Sequence, residues 1–294
     1  MTSPFVSAAE LELALAGAHP PVVFDASLVL HAPEFDGDYR RDSGYPGWLD
    51  AHIPGSRYVD VSAQFSDPSA SLHYTHPTPQ AIADELARLG VGSADQVVIY
   101  DTTGTIWAAR LWYLLTWIGV HASVLNGGLA AWRDAGLPVE SGEAAAPVAA
   151  ESWHAAATRD AWITREQLVA RAADDDRPLV CGLPAGSFTG DVPTRYSRRG
   201  RIPGSVNVSS RDLFGRDGAV IGDDEILAAY DSVGVTAESP EVLLYCGGGI
   251  SASASALTLA EIGIARVRIY DGSLEEWSAD PSLPLLTGPL LTDS

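Results

Sequence analysis

Leu243-Leu244-Tyr245-Cys246-Gly247-Gly248-Gly249-Ile250-Ser251-Ala252 changes character twice within ten residues. The short apolar run before Cys246 reads as a buried strand, and Ser251-Ala252-Ser253-Ala254-Ser255-Ala256-Leu257 reads as the opening of a helix. Between them lie one cysteine and three glycines. A thiol at such a junction is surrounded by backbone N–H donors and faces the positive end of a helix dipole. Both favour thiolate over thiol. The glycines let the loop close around an anionic group. The alternative for any cysteine is a small buried hydrophobe; the glycine run and the helix start weigh against it here.

The segments around this loop occur twice, in one order. Ile53-Pro54-Gly55-Ser56 returns as Ile202-Pro203-Gly204-Ser205, and Val97-Val98-Ile99-Tyr100-Asp101 as Val242-Leu243-Leu244-Tyr245-Cys246. Asn126-Gly127-Gly128-Leu129-Ala130-Ala131-Trp132 corresponds to Asp271-Gly272-Ser273-Leu274-Glu275-Glu276-Trp277. Asp101 precedes Asn126 by 25 positions, and Cys246 precedes Asp271 by 25. The chain therefore reads as a duplication of one domain. Each copy alternates apolar runs with helical patterns: strands are expected at Val22–Phe24, Val97–Tyr100 and Ser123–Leu125, then at Leu179–Val180, Val242–Tyr245 and Val267–Ile269. Helices are expected at Ile106–Ile118, Arg165–Ala173, Asp224–Ser232 and Ser251–Ile262. This predicts an α/β fold, two tandem copies of a mainly parallel sheet with helices on both faces. The expected domains are 1–140 and 158–294, joined by an Ala-, Ser- and Glu-rich linker over 141–157. Ligands of such sheets bind beyond the carboxyl ends of the strands, where Cys246 lies.

The 294 residues are 46% hydrophobic and 19% charged, with a net charge of -20 that argues against nucleic-acid and anionic-membrane partners. No stretch nears the roughly 18 apolar residues of a membrane span. All 18 basic residues are arginine, which removes Schiff-base and Walker-type phosphate chemistry. Two cysteines make no disulfide framework, and no Cys/His spacing suggests zinc, so neither metal nor cofactor is expected. A free reactive thiol fits a reducing cytoplasm. The seven histidines all lie at or before His154.

With both Ile-Pro-Gly turns, the Asp/Asn-Gly…Trp motifs and the cysteine loop in hand, the chain resembles the tandem-domain rhodanese family of sulfurtransferases over nearly its whole length. Cys246-Gly247-Gly248-Gly249-Ile250-Ser251-Ala252 is similar to the Cys-Gly-x-Gly-Val-Thr-Ala loop of the mercaptopyruvate branch. The resemblance implies that the first copy is catalytically silent, with Asp101 in place of cysteine. It also implies that Cys246 takes a sulfur atom from thiosulfate or 3-mercaptopyruvate as a persulfide. Cyanide, a small thiol or a thioredoxin-like reductant then removes it. Amides from Gly247 to Ala252 would cradle the persulfide, with Ser251 either bonding it or capping the helix.

Substrate recognition departs from the family. Cys181-Gly182-Leu183 stands where Asp-x-Arg is usual, Ser187 precedes Phe188 where an arginine is common, and Gly248 holds the mid-loop position of a serine or a basic residue. Arg195, Arg198, Arg199 and Arg201 precede the second Ile-Pro-Gly turn; they read either as a solvated basic loop or, through Arg195 and Arg201, as an anion grip. Asp60 and His73 (or His76) are nearest to a carboxylate–histidine pair proposed to assist mercaptopyruvate enzymes. Cys181 is either a small packed residue or a thiol that resolves an oxidised Cys246. A Cys-x5-Arg phosphatase is the nearest rival in this fold, but Ala252 stands where its arginine would be. A persulfide carrier or redox-sensing module is the non-enzymatic alternative.

Overall fold

The computed structural model describes residues 3–171 and 175–289. The chain forms two compact units. The first comprises residues 1–29, 42–160 and 214–221; the second comprises 30–41, 161–213 and 222–294. Two short segments thus cross the boundary expected from the duplication. The stretch read as a linker is tied to the first unit: the Gly142 N–H donates to Leu49 O (2.7 Å), Ala150 N–H to Ala87 O (2.8 Å) and Ala155 N–H to Gln80 Oε1 (3.2 Å). Its Ala-, Ser- and Glu-rich composition reads as a linker, and its backbone is held at these points.

The first unit is built on a five-stranded sheet in the order Phe5–Val6, His121–Leu125, Gln96–Tyr100, Val22–Asp25, Arg57–Tyr58. The second has four strands in the order Val267–Ile269, Val242–Tyr245, Leu179–Cys181, Ser205–Asn207. Every pairing in these two sheets is parallel. Central strands such as Val242–Tyr245 are buried at all four positions, as expected of strands covered on both faces. The expected central strands all form. The edge strands Phe5–Val6, Arg57–Tyr58 and Ser205–Asn207 were not foreseen, whereas the edge strand Val267–Ile269 was. Expected helices form at Ile106–Trp117, Asp223–Asp231 and Ile250–Glu261. The Arg165 helix is assigned to Val169, and its expected end at Ala173 lies outside the described residues.

The duplication is visible atom by atom. Tyr100 Oη lies 3.2 Å from Ser56 Oγ and accepts from Ile53 N–H at 3.3 Å. In the second unit Tyr245 Oη lies 2.7 Å from Ser205 Oγ and accepts from Ile202 N–H at 3.2 Å. Trp132 Nε1 donates to Pro138 O at 2.7 Å, and Trp277 Nε1 to Pro284 O at 2.9 Å. Each repeated motif therefore ties a buried aromatic's polar end to a turn, which satisfies a group that would be costly to bury alone.

Candidate active site

Both sheets present one glycine- or threonine-rich loop at the carboxyl end of their central strand. In the first unit the loop runs from Asp101 to the helix at Ile106, preceded by Thr105 in the left-handed region (φ 66°). In the second it runs from Cys246 to the helix at Ile250, preceded by Gly249 (φ 80°). Thr105 thus corresponds to Gly249, Trp107 to Ser251 and Ala108 to Ala252. The first loop is one residue longer.

What the first loop does is explicit. The Asp101 carboxylate accepts four backbone N–H bonds: from Thr103 (2.8 Å), Thr105 (2.9 Å), Trp107 (2.9 Å) and Ala108 (2.9 Å). Burial pushes its pKa up, against the pull of those amides. A side-chain anion at the end of this strand is wrapped by the loop and the first helical turn. The second loop joins the corresponding strand and helix, one residue shorter, with Cys246 at the position of Asp101. Cys246 is buried (1% exposed). The first-turn amides of its helix, Ser251 and Ala252 among them, have no intrahelical acceptor. Ile250 and Ala252 pack inward, and Ser251 is half-buried. Because the helix starts at Ile250, Ser251 sits inside the first turn, and the capping role considered for it falls to the Gly249 backbone.

The main chain of Cys246 is clamped by the next strand's turn. Its N–H donates to Ser273 Oγ at 3.0 Å, and Ser273 Oγ–H donates to Tyr270 O at 2.7 Å. Leu274 N–H donates to Cys246 O (3.2 Å) and Glu275 N–H to Gly247 O (2.9 Å). Ser273 is fully buried with φ 48°, at the place where the first unit has Gly128 with φ 55°. A serine held in a region that favours glycine is strained by about 1–3 kcal/mol, and its hydroxyl is what the first unit's glycine lacks. The pairing of Gly128 with Ser273 in the repeat carries this signal; the motif around Cys246 alone does not.

The arginine cluster is neither a solvated loop nor a shared grip. Arg198 donates to the carbonyls of Ser278 (2.8 Å), Leu283 (3.0 Å) and Asp280 (2.6 Å). Arg199 pairs with Asp36 at 2.8 Å. Arg201 donates to Gly288 O at 2.6 Å and lies 4.8 Å over the Phe188 ring. Its guanidinium is committed to the C-terminal segment and the core, which corrects its reading as an anion ligand. Arg195 donates to His31 O, and its buried Nε has no acceptor; of the two arginines singled out, it alone shows a buried donor left without an acceptor.

Cys181 is paired in register with Tyr245, shares a fully buried core cluster with it and with Phe188 and Ile202, and stands next to Gly182. Burial pushes its thiol up to about 12. A thiol that stays protonated is a poor attacking group, so its resolving role gives way to packing. A methyl built on Gly182 would lie 2.9 Å from Ser255 Oγ and 3.2 Å from Ser251 O. At Gly182 the strand end is therefore pressed against the Cys246 helix. Asp60 and His73 belong to the first unit. Asp60 caps the helix Val61–Gln64 through Ser62 N–H (2.9 Å) and Ala63 N–H (3.2 Å), and the His73 ring stands 5.9 Å from that of Tyr74. Among the described residues no cluster of His, Cys, Asp and Glu is placed to hold a metal ion, and no helix is long and apolar enough to cross a membrane.

Two copies of a parallel α/β unit, each closing a loop around the end of its central strand and only one carrying a thiol there, define a duplicated α/β protein with a single cysteine loop. The Rhodanese-like domain family matches residues 7–135 and 191–280. The chain is 32% identical over 241 residues to the 3-mercaptopyruvate sulfurtransferase of Escherichia coli K12, spanning 81% of this chain and 84% of that one. It is 33% identical over 264 residues to the human 3-mercaptopyruvate sulfurtransferase, spanning 88% and 85%. The crystal structure of SseA from Escherichia coli superposes with a TM-score of 0.78 at 29% identity, covering 92% of this chain and 99% of that one. The chain belongs to the rhodanese family, as a tandem pair of its domains.

Proposed function

We propose that this protein is a sulfurtransferase that moves a sulfur atom from thiosulfate or 3-mercaptopyruvate to cyanide or a thiol through a Cys246 persulfide. The observation that carries the reading is the Asp101 loop. It supplies four amides to the side chain at the strand end, and the Cys246 loop joins the corresponding strand and helix with one residue fewer. The Cys246 thiolate attacks the outer sulfur of the donor and forms an S–S bond. The bond between that sulfur and the rest of the donor breaks, and its electron pair leaves with sulfite, or with the enolate of pyruvate, which then takes a proton. The persulfide is anionic at neutral pH. Amides of Gly249, Ser251 and Ala252, the counterparts of Thr105, Trp107 and Ala108, would hold it as they hold the carboxylate in the first copy. In the second step a thiophilic acceptor takes the outer sulfur and Cys246 is released as thiolate.

Of the clustered arginines, Arg195 is the candidate for contact with an anionic donor, because its buried Nε lacks an acceptor. Asp60 and His73 are kept as accessory candidates. A cytoplasmic site of action and a thioredoxin-like reductant as acceptor fit a protein with two free cysteines. Leu183 and Ser187, standing where the family carries arginines, favour a second reading: a persulfide carrier that turns over small donors poorly. An assay with mercaptopyruvate and thiosulfate in parallel, each with cyanide as acceptor, decides between them. Thiocyanate formed from either donor at a steady rate supports the enzyme. A persulfide that forms on Cys246 but discharges in a single turnover supports the carrier, and no sulfur on Cys246 overturns both.

A further inference from the structure

We propose that Tyr196 is the specificity-determining residue of the Cys246 site: its phenol O–H donates a hydrogen bond to the outer sulfur where the family's arginines are missing. This deepens the sulfur-transfer reading and rests on it. A methyl built on Gly247 would lie 1.6 Å from Tyr196 Oη, 2.4 Å from Cζ and 2.9 Å from Cε2. The end of the phenol therefore rests on the main chain of the residue that follows the nucleophile. Gly247 is not in the left-handed region, unlike Gly249. Its backbone would accept any residue; what forbids a side chain there is Tyr196. The two residues are one device.

The main chain is held on both sides of Tyr196. Thr194 N–H donates to Asp36 Oδ1 (3.0 Å), and its carbonyl accepts from Gly37 N–H (2.8 Å). Thr194 Oγ1 accepts from Tyr196 N–H (3.2 Å). Ser197 N–H donates to Ser278 Oγ (3.2 Å), followed by the anchored guanidiniums of Arg198 and Arg199. The ring itself packs against the cluster that contains Phe188, Ile202 and Tyr245. The four clustered arginines brace this segment from the second unit's own residues, including the inserted 30–41 stretch. A ring held this way loses little freedom when its hydroxyl meets a ligand.

The chemistry follows from what a phenol is. It donates one hydrogen bond and brings no charge. With Leu183 and Ser187 in place of cations, the phenol stabilises a singly charged sulfur and adds nothing for a second charge. The preferred donors are thus β-keto thiols such as mercaptopyruvate, whose C–S electron pair leaves as an enolate, or organic persulfides, which release a thiolate, each with one carboxylate, with thiosulfate second. In the transfer step Tyr196 keeps its proton and forms and breaks no covalent bond.

The test uses the full chain. Tyr196→Phe keeps the ring and its packing and removes the hydroxyl. The expected result is a loss of about tenfold in kcat/KM with mercaptopyruvate, the scale of a hydrogen bond to a charged group. The acid limb of the pH profile for discharge of the Cys246 persulfide to cyanide should move to higher pH, with the thermal midpoint unchanged. Gly247→Ala should lose turnover in the wild-type background and recover it at least in part when combined with Tyr196→Ala. Tyr196→Phe within twofold of wild type on both donors, with an unmoved pH profile, overturns the proposal and leaves the sulfur-transfer reading standing. A wild-type chain that gains no sulfur on Cys246 overturns both.

Discussion

A carboxylate and a thiol at one position of a repeated loop are the sharpest contrast in the chain. Asp101 fills its own cradle, so the first copy can accept no further anion there; Cys246 leaves the cradle to the sulfur it would acquire. Cys246→Ser is expected to abolish sulfur transfer with an unchanged fold, and donor-treated wild type should show a mass gain of roughly 32 Da, one sulfur, on the Cys246 peptide. Mass spectrometry of both proteins checks this. Ser273 is the second residue on which the loop depends. Ser273→Ala leaves the buried Cys246 N–H without its acceptor, which should cost about 1–3 kcal/mol and lower kcat more than it raises KM, since the displaced atom is in the nucleophile's own residue. Equal kcat with a lowered melting temperature would show that the clamp is only structural. At this scale the sequence displayed the proposed nucleophile and its loop plainly, because a thiol, three glycines and a helix start are local. It concealed Ser273 and Tyr196, whose partners are 27 and 51 positions away.

Secondary-structure elements were the most legible level. Short apolar runs of two to four residues with helical patterns between them give a parallel sheet, and the strands fell where they were expected. The edge strands Phe5–Val6, Arg57–Tyr58 and Ser205–Asn207 escaped, while the edge strand Val267–Ile269 was legible. The arginine cluster escaped for a different reason. Its guanidiniums are used on carbonyls and on Asp36, partners that lie far off in sequence, so spacing alone could suggest only a solvated loop or an anion site. The loop element itself offers a test of donor choice. Gly248→Arg introduces a cation beside the sulfur in a site of low dielectric, and kcat/KM for thiosulfate should rise relative to mercaptopyruvate by about tenfold. Proportional changes with both donors would show that the middle of the loop does not set the preference. Cys181, at the end of the neighbouring strand, gives the opposite expectation. With its thiol pushed up to about 12, mild peroxide should oxidise Cys246 and leave Cys181 as the thiol in peptide maps; a reducible Cys181–Cys246 peptide would restore the resolving role.

For the whole molecule, the two copies differ in what they bury at corresponding strand ends. In the first unit Asp25 holds the place that Cys181 holds in the second: each is paired in register with the buried tyrosine of the central strand. Asp25 is 1% exposed, and burial pushes its pKa up to about 6, against hydrogen bonds from Ser27 and Tyr100. An unfolded aspartate titrates near 3.8, so the folded chain binds the proton more tightly. Asp25 therefore favours the folded state most below about pH 4, and that contribution is lost as pH rises through 6. Above pH 6 the ionised, buried carboxylate weighs against folding by about 3 kcal/mol, the free energy that separates protonation near pH 4 from protonation near pH 6. Asp25→Asn keeps an acceptor for the Ser27 N–H (2.8 Å) and removes the titration. The variant should melt several degrees above wild type at pH 7.5, with the gap closing toward pH 4.5, as read by scanning calorimetry of the full chain. Catalysis at Cys246 should be unaffected at 25 °C. A wild type that is equally stable across that range, or an Asn variant less stable at pH 7.5, would mean that Asp25 is ionised at no cost and that the surrounding hydrogen bonds outweigh its burial.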